Sequence, residues 1–476
     1  MRNRKRIAIL IILIPAVLLL SSIPVKAAAP FLDLVAQAAL LAEVDTGTVL
    51  FGHNTNVRHP ADSLAKVMTM ILAVSAIEDG EAGLNDLVIM TESALFDIKS
   101  SSSTQGISPG EEMTLVDLMY CAFVGGANEA CNLIAEHIAG SVETFVDMMN
   151  ERAKELGCER TNFTNPHGQY NDDQYTTAMD QFAIYRDALG HPLFEDLSGT
   201  FRYTIEETNK SKQRRLTGTN SLLNTGGKYF FRPCTSGLAS ITYEGGHSFV
   251  GFAESDGLSL IVVVLGSDVV MFEDNSAEMR NLTEAARLFE WGFSEFAWRI
   301  ILSPSAPPIG KAPVEHGAGA DYVNLRPESE IKRLLDKDIP DKDFKHDVVI
   351  YSDRDGEPLV APVTAGQVLG EVTVTRYDAK TRTTIEYGTI RLVANTSVEL
   401  HRLQFIKMQI TEVLASSTAH TVIWILVILI AGYLALVIRY NVVRIKRIRK
   451  IKEAKRKLIE ERQHEPEPDF DEFRRR

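Results

Sequence analysis

Cysteine is scarce in this chain. Cys121, Cys131, Cys158 and Cys234 are the four thiols among 476 residues. No Cys-x-x-Cys occurs, and no His/Cys cluster has metal-ligand spacing, so the sequence indicates neither a metal nor an organic cofactor. Cys121 and Cys131 fall in helix-like apolar segments and read as buried residues; spacing alone does not say whether any of the four would pair. Basic residues are short in the body of the chain: residues 27–438 hold 31 Lys+Arg against 55 Asp+Glu. A surface that acidic argues against nucleic acid as a partner. No internal repeat is found, and long apolar runs are missing everywhere except near the two ends.

What is present is a globular composition, 45% hydrophobic and 24% charged, with ample material for a core. The length calls for two or three folded units plus tails. At the N-terminus, Arg2, Arg4, Lys5 and Arg6 precede the apolar stretch Ile7–Leu20, and small residues follow at Ala27–Ala29. Residues 1–29 therefore read as a secretory signal peptide, the apolar run being short for an uncleaved anchor. Near the C-terminus, Thr421–Ile438 has 18 residues without a charge, bordered by Trp424 and Tyr433. That suits a bilayer-spanning helix. From Arg439 onward come 14 Lys+Arg against 8 Asp+Glu. The positive-inside tendency then expects a single-pass protein of the cell membrane, its tail cytoplasmic and its acidic body outside. The end of that tail, from Glu460, is charged enough to expect disorder.

Between these ends, residues 30–302 read as one α+β unit. LLAEVDTGTVLFG is a strand pair around the turn Asp45-Thr46-Gly47, and SFVGFAESDGLSLIVVVLG is a second pair around Glu254–Gly257. With helical stretches between, the expected fold is an antiparallel sheet with helical flanks. A Pro/Ser/Gly-rich linker (303–313) leads to a small, mostly β domain (314–400). A juxtamembrane helix (401–418), the membrane span (419–438) and a basic tail (439–476) follow.

Chemistry concentrates in RHPADSLAKVMTMILAVSAIEDG. Ser63 opens an apolar helix and Lys66 follows on a neighbouring part of the same face. A serine hydroxyl attacks poorly until a base takes its proton, and a lysine whose pKa is lowered by burial is such a base. As a bare pattern, Ser-x-x-Lys also fits a helix-capping serine beside a solvated lysine.

The surrounding motifs narrow the choice. Pro60-Ala61-Asp62-Ser63-Leu64-Ala65-Lys66-Val67-Met68-Thr69 resembles the active-site serine motif of the D-alanyl-D-alanine carboxypeptidases, the low-molecular-mass penicillin-binding proteins, with Asp62 inserted before the serine. GISPGEEMTLVDLMY (106–120), TNFTNPHGQYNDDQYTTAMD (161–180), Gly218–Leu223 and the Gly-x-Val-x-Gly at 366–370 resemble further family segments, in the family's order. The resemblance implies a penicillin-binding/β-lactamase-like transpeptidase domain followed by a small β domain. It also implies serine-type D-Ala-D-Ala carboxypeptidase activity on peptidoglycan stem peptides through an acyl-Ser63 intermediate, in cell-wall remodelling, with β-lactams as covalent inhibitors. The C-terminal β domain and anchor argue against a β-lactamase.

Two family motifs are altered. In the Ser-x-Asn motif, Asn128 matches the asparagine, while Gly126 stands where the family has a serine that relays a proton toward the leaving amine. In the Lys-Thr-Gly motif, Thr235 stands for the lysine, while Ser236 and Gly237 keep the hydroxyl for the substrate carboxylate and the close backbone approach. The resemblance assigns the oxyanion hole to the backbone N–H groups of Ser63 and Leu238. The alternative function is a catalytically impaired relative that binds peptidoglycan peptides or cell-wall partners. Arg232 and Lys228 are the candidates to supply the missing charge. His167, in Asn-Pro-His-Gly, reads as a structural loop residue.

Overall fold

The computed structural model describes residues 34–271 and 277–463. The expected signal peptide lies outside the described residues, as does the last part of the charged tail, from 464 onward.

A five-stranded antiparallel sheet organises the first unit. Its strands are β1 (Ala38–Glu43), β2 (Val49–His53), β3 (Cys234–Thr242), β4 (Gly246–Ser255) and β5 (Leu258–Ser267), in the order β2-β1-β5-β4-β3. Both expected strand pairs are present, with their turns where the sequence puts them. The pairing of β1 with β5, Ala38 opposite Leu265 through Glu43 opposite Leu260, closes the sheet between the two ends of the unit.

The apolar runs of β1 and β5 are continuous because both faces of these strands are buried. Leu40, Ile261, Val263 and Leu265 enter one core; Leu41, Leu260, Val262 and Val264 enter the other. Side chains alternate across a strand, so a central strand covered on both sides has no polar phase. The first core lies under the helices α1 (Ala65–Glu78), α2 (Leu115–Phe123), α3 (Asn128–Ala139), α4 (Val142–Glu155) and α5 (Ala178–Ala188). The second lies under α6 (Arg280–Glu295), which presents Leu282, Ala285, Leu288 and Phe289 to the sheet.

Helix α1 reads AKVMTMILAVSAIE, and all but three of its residues are buried. A helix that is apolar all round belongs in the middle of a core. This position carries Lys66 into the interior, where it is 1% exposed.

Residues Lys332–Pro340 return to this first unit, and the second unit is made of 300–331 and 341 onward. The division is thus not a single cut, and the C-terminal part of the 303–313 segment is strand. The second sheet contains β6 (Gly310–Pro313), β7 (Tyr322–Pro327), β8 (Phe344–Ile350), β9 (Val368–Asp378) and β10 (Thr383–Ala394), in the order β6-β7-β10-β9-β8. Helix α7 (Arg402–Ala415) follows, then α8 (Ser417–Gln463), 47 residues long. Helix α8 is long and apolar enough to cross a membrane, with a mean hydropathy of 2.8 over its apolar window. It continues through the basic stretch without a break.

Candidate active site

Ser63 lies in a single 3-10 turn, Asp62–Leu64, that leads into α1, and its side chain caps nothing. It is half-buried, and among the described residues its Oγ has no hydrogen-bond partner. The capping alternative for this serine therefore does not hold.

Lys66 is held on two sides. Its Nζ donates to Asn128 Oδ1 at 2.9 Å and to the His167 carbonyl at 2.5 Å. A neutral lysine amine has two N–H bonds and one lone pair; an ammonium has three N–H bonds and none. Two fixed acceptors match the neutral amine and leave its lone pair over. Burial lowers the Lys66 pKa, opposed by Cys131, Glu129 and Asp62. Both effects favour a base.

The loop that supplies one acceptor is tied to α1 as well. Thr69 Oγ1 donates to the Pro166 carbonyl at 2.5 Å. Asn165 Oδ1 accepts from Gly168 N at 2.7 Å, and Gln174 Oε1 accepts from the amides of Thr164 and Asn165. His167 is fully buried, with Nε2 3.3 Å from Asp97 Oδ2 and Nδ1 accepting from Gln169 N. Its pKa is lowered by burial, with Asp97 opposing. The histidine contributes its backbone carbonyl to the site.

Asn128 opens α3 and is buried. Gly126, two residues before it, has φ +71°, a left-handed conformation that glycine adopts without strain. A Cβ placed there would come within 2.9 Å of Ser103 Oγ.

The third motif lies on β3, an edge strand. Its pairing with β4 shifts where Ser236 faces Phe252 and Cys234 faces Ala253, leaving Thr235 unpaired on a bulge. Thr235 is exposed there. Ser236 is buried and accepts a hydrogen bond from Tyr185 OH at 2.9 Å, so its own proton is free to donate. Gly237 is required by close approach: a Cβ would stand 2.8 Å from the Val250 carbonyl and 2.9 Å from Asn220 Nδ2. Gly237 and Leu238 line a cleft with Ser198, Thr200, Thr219 and Asn220. Arg232 is exposed, and the Lys228 ammonium lies 5.2 Å from the centre of the Tyr229 ring. Among the described residues, neither reaches Ser236 by a hydrogen bond.

Of the two N–H groups assigned to an oxyanion hole, that of Ser63 donates to Ser240 Oγ at 3.2 Å. Ser240, one strand period beyond Leu238, had no signal in the sequence. Asp62 is a second residue the motif reading passed over. It has φ +45°, is 2% exposed, and neither carboxylate oxygen makes a hydrogen bond of good geometry. Burial pushes its pKa up to about 6; Thr242 and Lys66 oppose this and Glu244 adds to it. The insertion before the serine was the available clue. Glu129 is the third: its Oε1 accepts from Gln105 N at 2.7 Å beneath the site. All four cysteines are free and buried.

Comparison with known proteins gives the family and the fold. A family model described as D-alanyl-D-alanine carboxypeptidase matches residues 24–269. D-alanyl-D-alanine carboxypeptidase DacF of Bacillus subtilis is 28% identical over 336 residues, covering 70% of this chain and 80% of the relative. D-alanyl-D-alanine carboxypeptidase DacC of Escherichia coli is 27% identical over 356 residues, covering 72% and 80%. Among solved structures, penicillin binding protein 5 from Haemophilus influenzae aligns with a TM-score of 0.54 at 25% identity, covering 77% of this chain and 98% of that one. Penicillin binding protein 6B from Escherichia coli aligns with a TM-score of 0.56 at 22% identity, covering 76% and 96%, a likeness of fold. With a family model matched over half its length, the chain belongs to the D-alanyl-D-alanine carboxypeptidase family.

Proposed function

We propose that this protein is a serine carboxypeptidase of the cell membrane that removes the terminal D-alanine of peptidoglycan stem peptides. The observation that carries the reading is Lys66: buried three residues after Ser63, and held by two acceptors that suit a neutral amine. Lys66 takes the Ser63 proton as Oγ attacks the penultimate D-alanine carbonyl, forming an acyl-serine and releasing D-alanine. Water then hydrolyses the ester. Ser236 donates to the terminal carboxylate, and the N–H groups of Ser63 and Leu238 face the oxyanion once substrate displaces Ser240 Oγ from Ser63 N. Strained β-lactam amides acylate the same serine. The reaction as read calls on no cofactor. Helix α8 anchors the chain, with the catalytic unit outside and the basic end inside.

The test uses the full chain in detergent. Incubation with a fluorescent penicillin should label Ser63, located by mass spectrometry, and diacetyl-Lys-D-Ala-D-Ala should release D-alanine. A folded protein that does neither, with Ser63→Ala indistinguishable from wild type, sinks the reading.

A specific observation favours a second reading, that of an impaired relative that binds stem peptides without turning them over. Thr235 sits exposed on a bulge with no cation in its place, and the Ser63 amide is already engaged. A lost charged donor is worth roughly 1.5–3 kcal/mol, about one to two orders of magnitude in rate. Peptide binding without D-alanine release would support it.

A further inference from the structure

The hydroxyl that position 126 cannot carry has a substitute in space. We propose that Ser103 is a catalytic residue of this chain: its hydroxyl delivers the proton to the departing amine in place of a side chain at Gly126. The inference rests on the acyl-Ser63 reading above.

Three observations converge on Ser103. A Cβ built on Gly126 lies 2.9 Å from Ser103 Oγ, so the hydroxyl occupies the ground into which a residue at 126 would grow. Position 126 is also left-handed, at φ +71°, so the backbone itself discourages a side chain there. Finally, Ser103 is fixed to the element that holds the base: its carbonyl accepts from Asn128 N at 3.0 Å, and Asn128 Oδ1 accepts from Lys66 Nζ at 2.9 Å.

The loop around Ser103 is fastened on both sides. Toward the Asn-Pro-His-Gly segment, the Ser102 hydroxyl donates to Gln169 Oε1. Toward α3, Gln105 N donates to Glu129 Oε1 at 2.7 Å, and Gln105 Nε2 donates to the Gly125 carbonyl at 2.8 Å. Between these anchors Ser103 is exposed, and among the described residues its Oγ makes no hydrogen bond. A positioned loop presenting an unengaged hydroxyl against Gly126 suits a donor that works only when substrate is present.

The proton count closes. Lys66 takes the proton from Ser63 Oγ as the C–O bond forms. The C–N bond then breaks, Ser103 Oγ–H gives its proton to the leaving nitrogen, and the Lys66 ammonium returns one to Ser103. No net proton is gained or lost, and the amine leaves neutral.

The experiment measures D-alanine release and fluorescent-penicillin acylation by the full chain for wild type, Ser103→Ala and Ser103→Thr, with thermal melting of each. Ser103→Ala should melt like wild type and lose about a hundredfold in D-alanine release, the lower end for removing a proton-transfer group. Ser103→Thr, which keeps the hydroxyl, should recover most of the rate, which a purely structural loop residue would not require. An active wild type matched within twofold by Ser103→Ala overturns the assignment of Ser103 alone. An inert wild type overturns both this inference and the acyl-Ser63 reading.

Discussion

Two segments of the proposed site are built in opposite ways. The segment carrying Ser63 and Lys66 comes from a helix buried on every side, and each polar atom of Lys66 has a fixed partner. The segment carrying Thr235, Ser236 and Gly237 is an edge strand, bulged and exposed at Thr235. In the first, packing leaves little freedom: changing Lys66 would strand Asn128 Oδ1 and the His167 carbonyl. In the second, the surroundings of Thr235 are open, and a substitution there disturbs little of the fold. The departure at the third motif is thus of the kind a fold tolerates, whatever it does to the rate.

The contrast predicts a hierarchy of effects. Lys66→Met should be the most damaging, lowering penicillin acylation by at least about a hundredfold. In the wild type, acylation should level off below the ordinary lysine value, because burial lowers the Lys66 pKa; a rate still climbing through the ordinary lysine range would contradict the lowered base. Next comes Asp62→Asn. The folded carboxyl is raised from an ordinary 3.8 to about 6, so its stability contribution is intact below pH 4 and lost as pH rises through 6. Removing the charge should stabilise the protein by up to about 3 kcal/mol at pH 8 and by nothing comparable at pH 4. Melting curves at the two pH values decide it, an equal shift at both counting against the buried charge.

The two motif restorations should behave unlike each other. Thr235→Lys, on an exposed bulge, should leave the melting temperature nearly unchanged and raise acylation by at most about tenfold, since a solvated charge gives little. Gly126→Ser should cost stability, about 1–2 kcal/mol for a left-handed non-glycine residue, besides crowding Ser103 Oγ. A double restoration that gains activity without losing stability would erase the contrast between the segments.

Much of the fold was legible because its signals are local or periodic. The turns at Asp45–Gly47 and Glu254–Gly257, the apolar strands and the uncharged run in α8 each announce an element. The motifs also brought Ser63, Lys66 and Asn128 to one place in expectation, and the hydrogen bond from Lys66 to Asn128 joins residues 62 positions apart. What was not legible has no sequence spacing to betray it. Ser240 reaches the Ser63 amide from 177 positions away. The return of Lys332–Pro340 to the first unit depends on chain path alone.

The sequence by itself determined the family and the sheet-and-helix architecture, because these rest on residue types in order. Only the tertiary structure decided that Lys66 is a desolvated amine with two acceptors, that Asp62 is buried without a hydrogen bond of good geometry, that Thr235 is pushed onto a bulge, and that Ser103 stands against Gly126. Burial and proximity between distant segments are properties of the packed chain, and they set the electrostatics on which the chemistry depends.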